Sequence, residues 1–139
     1  MKIKNTSKQF DTNRIRSIID HCRDSGVPSF DIWVKGGRDW AGAAYYAGCS
    51  YGRHKKPYIS IRAPKVCCYP YTRRPRSGYL GWVAYKPEDA LVHLVAHEIR
   101  HLWQSKHKKG HRVWGAKGKF SERDADAYAI HKVREWRRK

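Results

Sequence analysis

With 139 residues, 40% of them hydrophobic and including six Trp and nine Tyr, the chain has enough apolar material for one well-filled core and too little for two. Thirty Lys and Arg against twelve Asp and Glu give a formal net charge of +18. Nucleic acid, an anionic membrane surface or an acidic protein would each answer such a field, and so would plain solvation of a very basic surface.

A single domain over residues 1–139 is expected. No apolar run approaches the length of a membrane span, and the N-terminal segment lacks the apolar stretch of a signal peptide. A cytoplasmic protein without a transmembrane segment is therefore expected. None of the four cysteines, Cys22, Cys49, Cys67 and Cys68, has zinc-knuckle spacing, and the adjacent pair is not expected to bond to itself. Reduced, mostly buried thiols in a reducing compartment are the expectation.

Residues 11–24 read as the first helix, with Ile15, Ile18, Ile19 and Cys22 on one face and Gly26-Val27-Pro28 ending it. Residues 30–34 alternate as a strand, with Phe30, Ile32 and Val34 on one side. After the turn at Gly36 and Gly37, short strands are expected over 43–47, 58–62 and 79–84, with a long proline- and arginine-rich loop over 63–77. Pro87 opens the clearest helix, running to about residue 105. Proline suits the first helical position, and Glu88 and Asp89 suit the positive end of the dipole. Leu91, Val92, Leu94, Val95, Ile99, Leu102 and Trp103 cover much of this helix, which predicts that it is central and buried. Residues 106–119 form a basic connection, and Ser121 caps a last helix, with Asp124 placed as in a capping box.

Within the buried helix stands His97-Glu98-Ile99-Arg100-His101. Residues four apart share a helix face, so both imidazoles can reach one ion. Glu98 lies about 100° round the helix, close enough to touch a water at the ion without binding the ion itself. Burying two histidines and a glutamate costs free energy unless they are partnered, and a metal partners them. A catalytic zinc needs a third protein ligand and an open position. Glu122, His107 and His111 are the candidates. His93, one turn before His97, is either a packed helix histidine or a further group behind the metal.

The HExxH pair followed by Glu122-Arg123-Asp124-Ala125-Asp126-Ala127-Tyr128-Ala129 resembles the gluzincin metallopeptidases, including the small ImmA/IrrE-like group and the membrane CAAX-type proteases. That resemblance covers about forty residues and implies Glu122 as third ligand, with Asp126 orienting a metal-bound histidine. The segment from His97 to Trp114 is also similar to SprT- and YgjP-like metallopeptidases, in which a later histidine, here His107 or His111, completes the site. Metzincins share that histidine spacing, but they carry glycine where this chain has Gln104, and that glycine lets their chain turn.

The implied protein is a minimal zincin-type α+β domain. A small, mostly antiparallel sheet packs on an active-site helix, with a second metal-ligand helix beside it. One Zn2+ per chain and a metal-activated water, with Glu98 as general base, would hydrolyse peptide bonds within a chain. The oxyanion stabiliser is left open among Tyr128, His107, His111 and Tyr85. An edge strand at 58–62 is expected to hold substrate by strand addition. The alternatives are a nucleic-acid-binding protein with structural zinc, and a SprT-like protease acting on DNA-bound proteins. The basic clusters at 53–56, 73–76 and 106–119 and in the C-terminal helix motivate both.

Overall fold

The computed structural model describes residues 1–46, 56–107 and 119–139. The fold is α+β, with three helices, a four-stranded sheet and a two-stranded one among the described residues. Strand β1 (Ile3–Asn5), which has no clear periodicity in sequence, leads into helix α1 (Thr12–Cys22). Asp11 caps α1 by accepting the Arg14 backbone N–H at 2.7 Å. The buried face of α1 is Ile15, Ile18, Ile19 and Cys22, as the periodicity predicts.

Strands β2 (Asp31–Gly37), β3 (Ala41–Tyr45) and β4 (Tyr58–Pro64) complete the larger sheet, in the order β1-β2-β4-β3. Its strands correct the expectation of a mostly antiparallel sheet, because β1 with β2 and β2 with β4 are parallel, and only β3 with β4 is antiparallel. The cause is connectivity. Helix α1 carries the chain back between β1 and β2, which makes them parallel. The chain then reverses into β3 one place further out, and β4 fills the gap, parallel to one neighbour and antiparallel to the other. The predicted edge strand is consequently interior, and among the described strands the edges belong to β1 and β3. Ile32 stands opposite Ile59 and Val34 opposite Ile61. All four are buried in the core that also holds Leu91, Val95 and Ile99 of the central helix.

The stretch read as a long loop contains a strand. Strand β5 (Tyr71–Arg73) pairs with β6 (Trp82–Ala84) in a separate antiparallel hairpin. Its turn is closed by Arg76 N–H to Tyr79 O at 3.1 Å and Tyr79 N–H to Arg76 O at 2.9 Å. Gly81 adopts φ 79°, and a Cβ there would lie 2.7 Å from the Arg73 carbonyl oxygen, so only glycine fits.

Helix α2 (Pro87–His107) is the buried centre of the molecule, and helix α3 (Lys119–Arg137) packs along it. α3 begins two residues before Ser121, and Asp124 does not act in a capping box. Its carboxylate instead accepts from Arg100 Nε at 2.7 Å and Gln104 Nε2 at 3.0 Å. Among the described residues no helix is long and apolar enough to cross a membrane. Cys22, Cys67 and Cys68 are free thiols, and only Cys22 is buried. Cys49 lies outside the described residues.

Candidate metal centre

Helix α2 buries His93, His97, Glu98, His101 and Gln104 along its length. Such a row of polar groups needs partners, and helix α3 provides most of them. His97 Nε2 lies 3.2 Å from Glu122 Oε2, His101 Nε2 lies 3.1 Å from Glu122 Oε1, and the two Nε2 atoms are 3.1 Å apart. Two donors about 2.0–2.1 Å from one ion lie about 3.0 Å apart at a right angle and about 3.3 Å at the tetrahedral angle. The three observed separations fall in that interval, so His97, His101 and Glu122 could hold one metal ion. Both histidines and one carboxylate make a donor set suited to zinc.

Each histidine is fixed from behind. His97 Nδ1 donates to Asp126 Oδ1 at 2.8 Å, and His101 Nδ1 donates to Gln104 Oε1 at 2.8 Å. Both rings thus use Nδ1 as the donor to their support, and Nε2 is the nitrogen that faces the centre. Gln104 is itself held, donating to the Ser121 carbonyl at 2.9 Å and to Asp124. Asp126 also accepts from His93 Nε2 at 3.4 Å, and His93 stacks on Trp82 with ring centroids 4.1 Å apart. His93 thus stands behind the centre rather than as a bland core histidine. His93, His97 and Asp126 form a second cluster that could bind an ion, but it uses the His97–Asp126 hydrogen bond and reads more simply as the support of the first.

The remaining candidates lie elsewhere. The helix continues unbroken through Gln104, so His107 is carried past the site and off its face; its Nε2 donates to the Gly26 carbonyl at 3.0 Å and its ring packs on Trp103. Tyr128 is two residues beyond Asp126, about 200° round α3, and its hydroxyl donates to the Cys22 carbonyl on the α1 side. It is therefore corrected as an oxyanion stabiliser. Tyr85 is exposed beside Arg137. His111 lies outside the described residues.

The centre opens into a cleft of about 600 Å³ lined by His93, His97, Glu98 and Asp126, by Gly42 of β3, and by Arg73, Arg74, Arg76, Tyr79 and Trp82 of the hairpin region. Glu98 is buried, yet no donor among the described residues hydrogen-bonds its carboxylate, and burial raises its pKa. A Cβ on Gly42 would come within 2.9 Å of Glu98 Oε2, so the strand passes this close to the carboxylate only because the residue is glycine. Tyr79 stacks on His97 with centroids 6.0 Å apart. Burial and the neighbouring Glu122 push its phenol pKa up, which keeps it a donor. No motif in the sequence marks Gln104, Tyr79 or Gly42 as a site residue. Only Gln104 had a local signal, its position three residues after His101 on the same helix face.

The protonation states are strongly coupled. Burial pulls the His97 pKa down, but hydrogen bonds to Asp126 and Glu122 override it and push it up to about 10. His101 is likewise raised against burial, by Glu122 and Glu98. Glu122 and Asp126 stay well below the ordinary carboxylate range, because their histidine partners outweigh burial. The ion-free centre therefore holds His97 as imidazolium at neutral pH, with His101 shifted in the same direction. An ion must displace the His97 proton, so at least about one proton should be released per ion bound at pH 7. Affinity should keep rising with pH above 7, where an ordinary pair of histidines has already lost its protons. Calorimetry in buffers of different ionisation heat measures the release. A flat affinity from pH 7 to 9 would contradict this coupling.

Comparison with protein-family models, with characterised proteins and with solved structures finds no match for this chain. The functional reading therefore rests on the geometry.

Proposed function

We propose that the protein is a zinc-dependent peptide hydrolase similar to the gluzincins, with His97, His101 and Glu122 holding the ion and Glu98 acting as general base. The observation that carries this reading is the mutual spacing of the three donors, one of which, His97, lines an open cleft together with Glu98, a buried carboxylate without a hydrogen-bond partner among the described residues. When bound, zinc supplies Lewis acidity toward a peptide carbonyl and toward water. Glu98 takes the proton of the attacking water and returns it to the leaving nitrogen. Tyr79 replaces Tyr128 as donor to the developing oxyanion. Asp126 and Gln104 hold the two imidazoles in the tautomer that leaves Nε2 free. Among the described residues strand β3 pairs only with β4, and its other edge suits a peptide laid antiparallel to it, which favours attack within a chain.

A structural zinc in a nucleic-acid-binding protein is less well supported. Structural sites are closed and rich in cysteine, whereas here His97 lines a cleft beside Glu98, whose carboxylate has no hydrogen-bond partner among the described residues. The experiment that tests the proposal is metal analysis after dialysis, followed by incubation with a broad peptide library. One zinc per chain and metal-dependent cleavage are expected. A folded chain without zinc, or iron in its place, would overturn the reading.

Gly42 offers an independent check. In Gly42→Ala the new methyl would push Glu98 from its place, and displacements of about 1 Å cost about 100-fold in rate. Zinc content should be unchanged and turnover should fall by about 10- to 100-fold. Wild-type turnover in this variant would separate β3 from the placement of the base.

A further inference from the structure

The hairpin brings more positive charge to the cleft than the proposed hydrolysis uses. Arg73, Arg74 and Arg76 all line it. Arg73 is already committed: Nε donates to the Tyr71 hydroxyl at 2.8 Å, Nη2 donates to the Trp40 carbonyl, and Asp39 Oδ2 lies 3.6 Å away. Arg74 and Arg76 are exposed, and among the described residues neither has a carboxylate partner. The backbone that presents them is fixed by the paired Arg76–Tyr79 hydrogen bonds and by Leu80 N–H donating to Asp126 Oδ2 at 2.8 Å. An anion bound there must order the two side chains but not the backbone, which is already held.

We infer that Arg74 and Arg76 form an anion subsite that takes an aspartate or glutamate side chain of the substrate, so that the cleft selects acidic peptide segments. This inference rests on the peptidase reading. Two features favour a carboxylate over a nucleic-acid backbone. Among the described residues two free guanidiniums line a cleft of about 600 Å³, enough for a few side chains and far too small for a duplex. The other side of the cleft is Glu98 and Asp126, which repel a polyanion running through it. A single acidic side chain can reach the hairpin and stay clear of them. The guanidinium fork matches a carboxylate bidentately.

Two measurements separate this inference from the reading beneath it. Binding is followed by anisotropy on zinc-loaded Glu98→Gln protein, with labelled peptides that differ only in Glu against Gln at one position. Cleavage of the same peptides is followed with zinc-loaded wild type. At least one Glu position should tighten binding by about tenfold and raise kcat/KM by a similar factor. Arg74→Glu with Arg76→Glu, checked for retained zinc, should reverse the preference toward Lys-containing peptides. Acidic peptides bound through these arginines but never cleaved would retain the subsite and remove the peptidase. Cleavage without acidic preference, or a preference unmoved by charge reversal, would overturn the subsite. So would a single-stranded oligonucleotide that needs both arginines while acidic peptides do not bind, and that result would assign the surface to nucleic acid.

Discussion

Replacing Glu98 with glutamine should lower peptide hydrolysis by about 10²- to 10⁴-fold while leaving one zinc per chain. The amide keeps the size of the side chain and can still hydrogen-bond a water, but it cannot accept the water's proton. Glu98 is not one of the three clustered donors, so metal content should not follow activity. No hydrogen-bond partner would be stranded either, because the carboxylate has none among the described residues. Parallel metal analysis and peptide cleavage on the purified variant check this. Cleavage at the wild-type rate would take the general-base role from Glu98. Loss of zinc together with activity would make Glu98 a support of the centre.

The second large effect concerns the ion. Glu122→Ala removes the carboxylate that lies within 3.2 Å of both Nε2 atoms, and zinc affinity should fall by more than about 100-fold. Asp126→Asn keeps the shape and loses the charge that holds His97 and His93, so a fall of about 10- to 100-fold is expected. His107→Ala should leave affinity unchanged, because that ring binds the Gly26 carbonyl instead. Competition titration against a zinc chelator ranks the three variants. If His107→Ala stripped the metal while Glu122→Ala kept it, the ligand set would be wrong.

The parts of this site that could be read from sequence are those encoded locally. A spacing of four on an apolar helix places His97 and His101 together whatever the rest of the fold does. The pair Glu122 and Asp126 followed from resemblance, and α3 lays both against α2. Partners supplied by distant chain were not legible. Tyr79 reaches His97 only because the β5–β6 hairpin folds over α2, and β5 itself was hidden in a stretch rich in proline and arginine. Tyr128 looked suitable because it follows Asp126 closely, but helical rotation turns it toward α1. In sequence Gln104 stands out only as the replacement of a glycine, although its amide positions His101. Sheet direction was misjudged because the slot between β2 and β3 is filled by a strand that arrives later, a fact of topology with no mark in strand composition.

Asp126 serves two masters with its two oxygens: Oδ1 faces the histidines and Oδ2 holds the Leu80 amide of the arginine-bearing turn. An ion held at His97 and the hairpin turn would therefore share one carboxylate as support. If binding at the two places is coupled through Asp126, reciprocity requires that whatever fastens the turn strengthens hold on the ion and that the ion steadies the turn by the same factor. A metal held this way would register whether the cleft beside it is filled.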